Sequence, residues 1–453
     1  MNKKRHILCI DLKSFFASCE CVERGLDPFS TPLVVANKNQ GNGAITLAVT
    51  PYLKKLGVKS RGRLYEIPKN IKYFIAKPRM NLYINKSTEV VNIYLDYISQ
   101  EDLHIYSIDE CFLDVTNYLK MYKKTDYELA LDILKNIKEK TGITATCGIG
   151  PNLLIAKVAM DIEAKHTKEN IAKWAFDDIK DKFWPITPLS EFWGIGKNME
   201  RNLNSLGIFT IGDLATYNKN KLKDKFGVIG EELYNHANGI DLSEIKDFKK
   251  IKQDKSYSHS QVLFKDYNSS NIKIIIKEMV EVLTARLRCD NKECLVIGFG
   301  IGYSKMVGGG FYHSIKLSNP TNQNNEIYKT CLLLLDKYIE DYPIRKVTIS
   351  CGKLSKKEGI QLDLFHNYEE IKSNDNLNKA YDEIRNKFGK NSLLKATSLL
   401  EDSTIIERNK KIGGHSAWMI VEWLSGCHLI VLFPLKLLLN QLKIKEILFQ
   451  CLY

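Results

Sequence analysis

The chain has 453 residues, 44% of them hydrophobic and 26% charged, with a net charge of +13. This balance is ordinary for a globular protein, and the length suggests roughly three domains. The positive charge favours a polyanionic partner, either nucleic acid or an anionic membrane surface. The 11 cysteines form no CxxC pair, so we expect reduced thiols and no zinc site. The first residues lack the apolar core of a secretory signal, and we expect a cytoplasmic protein.

The amino-terminal third begins with a short apolar run, Ile7–Ile10, that ends at Asp11. This pattern predicts a buried strand that delivers an acid at its tip. The segment after Asp11 has the pattern of a helix. Thr46–Val49 and the following basic stretch belong to a small mixed lobe, and Leu82–Ile98 is predicted to be helical.

The next segment predicts two strands, Ile105–Ile108 and Cys111–Val115, on either side of the Asp109–Glu110 step. Apolar residues at the helical period then predict a helix over Glu128–Lys140. A further alternating strand follows, and Pro151 opens another helix. This order predicts an α+β domain whose sheet is covered by helices on one side.

Short helices with Gly–Ile–Gly and Leu–Gly–Ile turns fill Trp184–Ile240, and the Lys-rich stretch Lys246–Lys255 is typical of a linker. Beyond it the pattern βαββαβ predicts an independent compact domain. A charged helix-like segment then runs to Lys390, and the chain ends in an apolar tail.

Three acids are the strongest candidates for chemistry: Asp11 at a strand end, and Asp109 with Glu110 on a neighbouring hairpin. Together they could place three carboxylates around hard divalent cations, which nucleotidyl transfer uses in pairs. Taken one at a time, each acid could equally cap a strand in solvent.

The residues around these acids resemble the motifs of Y-family DNA polymerases. DLKSFFASCE, from Asp11 to Glu20, resembles the DxxxFFAxxE motif, and SIDECFLD, from Ser107 to Asp114, resembles S-I-D-E-x-(F/Y)-L-D. The likeness is to the UmuC and DinB branches, and within them to UmuC-like proteins of Gram-positive bacteria. It extends from about Lys4 to His415.

The resemblance implies a right-hand polymerase of the α+β class. It has a ferredoxin-like palm, small fingers, a helical thumb with a helix-hairpin-helix, and a βαββαβ little finger. The implied boundaries are 1–14 and 79–174 for the palm, 15–78 for the fingers, 175–245 for the thumb, 246–255 for the linker, 256–358 for the little finger, 359–415 for a clamp-binding peptide and family-like tail, and 416–453 for an atypical apolar tail.

The implied activity is low-fidelity, template-directed DNA synthesis past lesions, in which a primer 3′-OH attacks a dNTP. Two Mg²⁺ ions, or Mn²⁺ in their place, are the implied cofactors. Asp11 and Asp109 would bridge both ions, Glu110 would hold the primer-side ion, and the backbone carbonyl of Leu12 would assist at the nucleotide-side ion.

The resemblance also assigns a dNTP-binding set: Phe15, Phe16, Tyr52, Lys55 and Lys165. Phe16 would be the gate that excludes a ribose 2′-OH, and Tyr52 with Lys55 would contact the triphosphate, where the family has Tyr and Arg. Lys157, Asp161 and Lys165 recur every four residues, so Asp161 could orient Lys165. The alternatives are core packing for Phe16 and solvated helix faces for the others.

DNA-binding residues are expected in two places. Gly194, Gly196 and Lys197 match the turn of a helix-hairpin-helix, where glycines let backbone amides approach a phosphate. Lys250 and Lys252 would add phosphate contacts from the linker. The alternatives are an ordinary helix turn and a solvated linker.

A clamp-binding peptide is expected at Gln361, Leu362, Leu364 and Phe365, because QLDLF matches the bacterial QLxLF sliding-clamp motif. A short edge strand is the alternative. The resemblance also leaves open a UmuD-like accessory subunit as a partner. The tail after Ser416 allows three interpretations: a partner-binding amphipathic helix, a weak membrane contact, or a replaced end without an evolved role, which we favour over a membrane.

Two other functions compete with the polymerase. A nucleotide cyclase also places acids on such a sheet, but it explains neither the Gly–Ile–Gly turn nor the clamp peptide. A catalytically dead, clamp-bound DNA-binding protein would need no acidic triad.

Overall fold

The computed structural model describes residues 5–248, 256–358, 368–412 and 415–416. They fall into two compact units, one within Met1–Ile251 that also includes Ile412, and one within Lys252–Lys411. Within these described ranges, no helix combines the length and apolar character that crossing a bilayer requires.

The centre of the first unit is a five-stranded sheet of order β6-β7-β1-β8-β9. Strand β1 pairs antiparallel with β7 and β8, and β8 pairs parallel with β9. Its elements are β1 (Ile7–Leu12), α1 (Phe15–Val22), α3 (Met80–Leu95), β6 (Leu103–Ile105), β7 (Glu110–Asp114), α4 (Leu119–Tyr122), α5 (Asp126–Thr141), β8 (Ala145–Gly150), α6 (Leu153–Ile162) and β9 (Ile171–Lys173).

Helices cover this sheet on both faces, so the prediction of a one-sided cover was wrong. Leu8, Ile10 and Leu12 point into the core with α1, α3 and α5, whereas Ile7 and Cys9 pack against α6. The strand side chains alternate between the two faces, and the four residues from Ile7 to Ile10 are all apolar and fully buried. A second layer is therefore needed to keep Ile7 and Cys9 from water.

The hairpin that carries Asp109 differs from the predicted pair of strands. The first strand ends at Ile105, because the backbone N–H groups of Tyr106 and Ser107 both donate to the carbonyl of Glu110, each at 3.0 Å. Asp109 therefore lies in the turn between the strands, whereas Glu110, which was also predicted to lie between them, is the first residue of β7.

A smaller lobe follows α1. Its four-stranded sheet has the order β4-β3-β2-β5 and a separate small core. The elements are β2 (Leu33–Ala36), β3 (Ile45–Val49), α2 (Pro51–Lys55), β4 (Gly62–Arg63) and β5 (Phe74–Ala76). Pro51 stands at the start of α2, where its missing N–H costs no helical hydrogen bond.

Short helices complete the first unit: α7 (Lys197–Asn204), α8 (Ile211–Thr216), α9 (Lys219–Phe226), α10 (Val228–Ala237) and α11 (Ile245–Phe248). Helices α7 to α10 share their core with one side of α6. Thr210 caps α8 through the reciprocal Thr–Asp capping box.

The second unit has the predicted βαββαβ order: β10 (Ser256–Tyr267), α12 (Ile272–Cys289), β11 (Lys292–Tyr303), β12 (Gly310–Thr321), α13 (Asn324–Tyr338) and β13 (Ile344–Lys356). Its sheet order is β10-β13-β11-β12, entirely antiparallel. The later elements of this unit are α14 (Tyr368–Phe388) and α15 (Ile405–Asn409). The chain then forms β14 (Lys411–Ile412) and β15 (His415–Ser416), of which Ile412 and β15 belong to the first unit. The helices α12 and α13 pack on the core of this sheet.

Candidate active site

The structure brings the three predicted acids together at one edge of the central sheet. Asp11 and Glu110 are direct cross-strand partners in the β1–β7 pairing. Asp109 precedes Glu110 in the hairpin turn, and its carbonyl accepts a hydrogen bond of 2.9 Å from the Leu12 N–H. Ser107 donates to Asp109 Oδ1 at 2.7 Å, which fixes the direction of that carboxylate.

Two glycines of β8 bring α6 down onto the face that carries the acids. A Cβ on Gly148 would lie 2.0 Å from the Ala156 carbonyl oxygen, and one on Gly150 would lie 2.5 Å from the Ala156 N–H nitrogen. Only a hydrogen fits there, so the helix backbone lies directly on the strand. This close approach delivers the lysine that follows Ala156 to the acids.

A chain of alternating charges then connects the acids through α6. Lys157 Nζ lies 2.8 Å from Glu110 Oε1 and 3.0 Å from Asp161 Oδ2. Lys165 Nζ lies 2.7 Å from Asp161 Oδ1 and 3.7 Å from Asp11 Oδ2. The predicted contact between Asp161 and Lys165 is therefore present. Helix α6 ends at Ile162, however, and Lys165 lies in a following 3₁₀ turn, so the three residues do not share one helix face.

The environment of the acids favours a cationic ligand. Burial raises the pKa of Asp11 to about 7. Attraction to Lys165 opposes this rise, and repulsion from Asp109 and Glu110 adds to it. Burial also raises the pKa of Glu110, against the attraction of Lys157. Negative charge is thus held here at a cost, as expected where a cation binds.

The identity of these donors fits Mg²⁺, a hard ion that prefers carboxylate oxygens. Within the described ranges, no three Asp, Glu, His or Cys side chains are already arranged as a ligand cluster. Glu110 Oε1 is held by Lys157 and also accepts a hydrogen bond from the Cys9 thiol at 3.3 Å. Glu110 would have to turn away from Lys157 to contribute to a metal site.

Lys157 was noted in the sequence only for its spacing, and its pairing with Glu110 was missed. Both side chains are 9% exposed. We expect Lys157→Met to destabilise the protein by about 3 kcal/mol, because it leaves Glu110 buried without a counter-charge. Urea unfolding measures this loss.

A double variant separates that pairing from simple loss of packing. Adding Glu110→Gln to Lys157→Met should recover part of the stability, since the unpaired charge is gone. Lys135→Met, at an exposed lysine that lies 3.8 Å from Glu139, is the control and should change little. Equal losses at Lys157 and Lys135 would contradict the pairing.

The two aromatic residues after Asp11 occupy different environments. Phe15 is buried in the core, whereas Phe16 is partly buried and stacks on Tyr83 at 4.4 Å. Tyr83 donates to Glu20 at 2.7 Å, and Arg79 pairs with the same carboxylate at 2.7 Å. The Phe16 ring thus packs on Tyr83, whose position is fixed by its hydrogen bond to the Glu20 carboxylate.

Tyr52 and Lys55 both lie on α2 of the smaller lobe. Tyr52 is partly buried in the lobe core, and Lys55 is exposed, 6.0 Å from the centre of the Phe29 ring. The neighbouring Lys54, which the sequence did not single out, has its pKa lowered by burial and by Lys165, with Asp11 and Asp109 opposing. The pKa of Lys13 is also lowered by burial and by Lys54. Both lysines therefore interact electrostatically with Asp11.

The Gly–Ile–Gly turn borders the same site. Gly194 has a φ of 92°, and Gly196 caps the amino terminus of α7, which begins at Lys197. An open cleft of about 470 Å³ is lined by this turn together with Tyr106, Lys157 and Asp161. Lys250, Lys252 and the peptide Gln361–Phe365 lie outside the described residues, as does the apolar tail from Ala417 onward.

Three family models match the chain. The impB/mucB/samB family matches residues 10–161, and the impB/mucB/samB family C-terminal domain matches residues 254–364. The thumb domain of DNA polymerase-iota matches residues 191–241. These ranges contain the acids, the βαββαβ order and the Gly–Ile–Gly turn, respectively.

Full-length relatives and a solved structure agree with these matches. UvrX of Bacillus subtilis (strain 168), named for repair of UV damage, is 39% identical over 417 residues, which cover 91% of this chain and 98% of UvrX. DNA polymerase IV 2 of the same organism is 32% identical and covers 92% and 100%. A Y-family DNA polymerase chimera of Dbh and Dpo4 has a similar fold, with a TM-score of 0.60, 22% identity, and coverage of 78% and 99%.

Proposed function

This chain belongs to the impB/mucB/samB family of Y-family DNA polymerases, and we propose that its palm acids perform two-metal transfer of a deoxynucleotide to a primer 3′-OH. It is a DNA-directed DNA polymerase of DNA repair and damage bypass. Primer-template DNA and dNTPs are therefore its substrates. Family membership also removes the nucleotide cyclase from consideration.

The observation that carries the proposal is the convergence of Asp11, Asp109 and Glu110 at one sheet edge. Two Mg²⁺ ions bound there would activate the primer 3′-OH and neutralise the triphosphate charge. Asp11, Asp109 and Glu110 would hold the ions through their carboxylates, with Asp11 and Asp109 proposed as shared ligands. Glu110 would serve the ion on the primer side, and the Leu12 carbonyl would assist on the nucleotide side.

Several lysines border the acids from the side on which a triphosphate would enter. Lys165, held by Asp161, lies closest to Asp11. Lys13 and Lys54 add positive charge as well. A lysine lacks the planar guanidinium with which an arginine donates paired hydrogen bonds, so each would bind the multiply charged triphosphate as a point charge. We assign triphosphate binding to Lys165 and Lys54, with Tyr52 and Lys55 as further contacts from α2.

Phe16 is proposed as the gate against ribonucleotides, and Phe16→Ala tests it. We expect use of NTPs relative to dNTPs to rise by roughly 10–100-fold, because the ring no longer occupies the space of a 2′-OH. Single-nucleotide incorporation kinetics measure the ratio. Phe16→Tyr keeps the ring on Tyr83 and should keep the discrimination. An unchanged ratio in Phe16→Ala would assign the selection elsewhere.

The remaining assignments are proposals about the reaction's setting. Low fidelity, lesion tolerance and cytoplasmic location are proposed because they fit the family, and Gln361–Phe365 would bind the sliding clamp. The turn Gly194–Lys197 would grip the DNA backbone without sequence choice. Whether a UmuD-like subunit is required is decided by assaying the chain alone.

Primer extension tests the whole proposal. The chain is given undamaged or damaged template, with Mg²⁺, clamp and dNTP or NTP varied separately. Extension that needs Mg²⁺ and dNTP supports the proposal, and stimulation by the clamp supports the peptide assignment. A chain that binds primer-template DNA and never extends it would instead be the catalytically dead binding protein.

A further inference from the structure

The segment 389–411, here called the strap, is fixed against the second unit. Tyr267 donates to the Asp402 carbonyl at 3.0 Å, and Gln261 donates to Thr404 Oγ1 at 3.3 Å. Ser403 also donates to Glu278 of α12 at 2.5 Å. The strap lies beyond residue 364, where the match to the family's C-terminal domain ends. It therefore adds a surface that this domain alone does not have.

The strap brings cations from two of its segments, one just after α14 and one at the end of α15, close to each other. The Asn409 amide donates to the Lys390 carbonyl at 3.4 Å and to Asn391 Oδ1 at 2.7 Å. These bonds join the turn after α14 to the end of α15, which carries Arg408. Lys411 lies two residues beyond the end of α15, and its Nζ is 4.2 Å from the centre of the Phe264 ring.

Three cations of the strap differ from their neighbours in their pairing. Within the described ranges, Lys390, Arg408 and Lys411 form no ion pair. By contrast, Lys395 lies 2.7 Å from Glu281, and Lys410 lies 2.8 Å from Glu407. Lys390, Arg408 and Lys411 thus differ from these two lysines, each of which lies beside a carboxylate.

Two buried nitrogen atoms accompany these cations, since the charges of Arg408 and Lys390 both act on His259. Arg408 Nε and His259 Nδ1 are both buried, and neither has a hydrogen-bond partner among the residues that the structure describes. Buried polar atoms of this kind are uncommon and call for a missing ligand or water. Burial, followed by the charges of Arg408 and Lys390, lowers the pKa of His259 to about 4. His259 is therefore neutral at pH 7 and adds a hydrogen-bonding group without adding repulsion.

Burial and neighbouring charges also lower the pKa values of the cations. Burial and Arg408 lower the pKa of Lys411, and burial and Arg385 lower that of Lys390. Burial lowers the pKa of Arg408 to about 10 although Glu278 opposes it. A bound anion would raise the pKa values of all three cations again, because its negative charge stabilises their protonated forms.

We propose that Lys390, Arg408 and Lys411, with His259, form a phosphate-binding site that takes a phosphodiester of single-stranded DNA. An arginine beside two lysines suits a phosphate oxyanion, since its guanidinium donates two hydrogen bonds and the lysines add charge. The choice of DNA as the source of the phosphate rests on the proposed function. Inorganic phosphate shares the chemistry and is separated by the test.

The test uses the full chain and a fluorescent oligo(dT), with anisotropy titrations at several salt concentrations. The double variant Lys390→Gln/Lys411→Gln should bind at least about 10-fold more weakly. Its salt slope should fall by roughly 0.7 for each phosphate that the variant no longer neutralises. Lys410→Gln/Lys395→Gln removes the same charge from paired lysines of the strap and should keep the wild-type slope. Equal slopes in the two double variants would overturn the proposal.

Two further arms close the remaining alternatives. Thermal unfolding with inorganic phosphate shows whether a free anion is the ligand. The assignment to DNA is overturned if phosphate stabilises the wild type while Lys390→Gln/Lys411→Gln binds oligo(dT) as the wild type does. The Asp109→Asn chain should bind oligo(dT) with the wild-type slope although it cannot extend a primer. Failure of extension in the wild type would count against the proposed function and leave the binding comparison intact.

Discussion

Primer extension should fall by at least roughly 10³-fold in Asp109→Asn, because a charged ligand shared by both metal ions is removed from the reacting centre. Asp109 is only half-buried in its turn. Its replacement by an isosteric amide should leave the hairpin intact. Single-turnover extension with saturating dNTP measures the loss directly.

The stability of the same variant separates chemistry from folding. Burial raises the pKa of Asp11, and repulsion from Asp109 adds to that rise. Removing the charge of Asp109 should therefore leave the unfolding free energy unchanged or raise it. Asp114→Asn, at the far end of β7 and 3.5 Å from Arg5, is the control acid and should keep full activity. Near-normal extension by Asp109→Asn would remove the acid triad as the site of reaction.

Gly148→Ala should destabilise the first unit by about 3 kcal/mol or more. The added Cβ would lie 2.0 Å from the Ala156 carbonyl oxygen and 2.4 Å from the Met160 nitrogen. Both are backbone atoms of α6, which cannot yield without moving the whole helix off the sheet. For a unit of this size we expect the melting temperature to fall by about 6–12 °C.

The functional consequence follows from what α6 carries. A displaced α6 takes Lys157 away from Glu110 and Asp161 away from Lys165, so extension should fall even where the variant remains folded. Gly43→Ala is the control, because no atom lies within 4 Å of its added Cβ. That change should leave both stability and activity near wild type. A Gly148→Ala chain as stable as Gly43→Ala would show that the close packing of α6 on β8 is dispensable.

Much of the candidate site was predictable because it depends on local patterns. The apolar run ending at Asp11 and the hairpin carrying Asp109 and Glu110 both follow from residue order. The βαββαβ order of the second unit followed from period alone and is confirmed. The same patterns failed at Tyr106–Ile108, where the N–H groups of Tyr106 and Ser107 close a local turn on the Glu110 carbonyl and end the strand early.

The sequence by itself determined that this protein carries the acidic motifs and the Gly–Ile–Gly turn of a Y-family polymerase, with the Phe16 ring that we propose as its gate, because each motif is a short run of residues. Only the tertiary structure decided what surrounds them. Lys157, 47 residues from Glu110, meets that acid because Gly148 and Gly150 let α6 lie on β8. The strap likewise gathers Lys390, Arg408 and Lys411 beside His259 through hydrogen bonds between distant segments. Such contacts depend on how elements pack, and no periodicity along the chain encodes them.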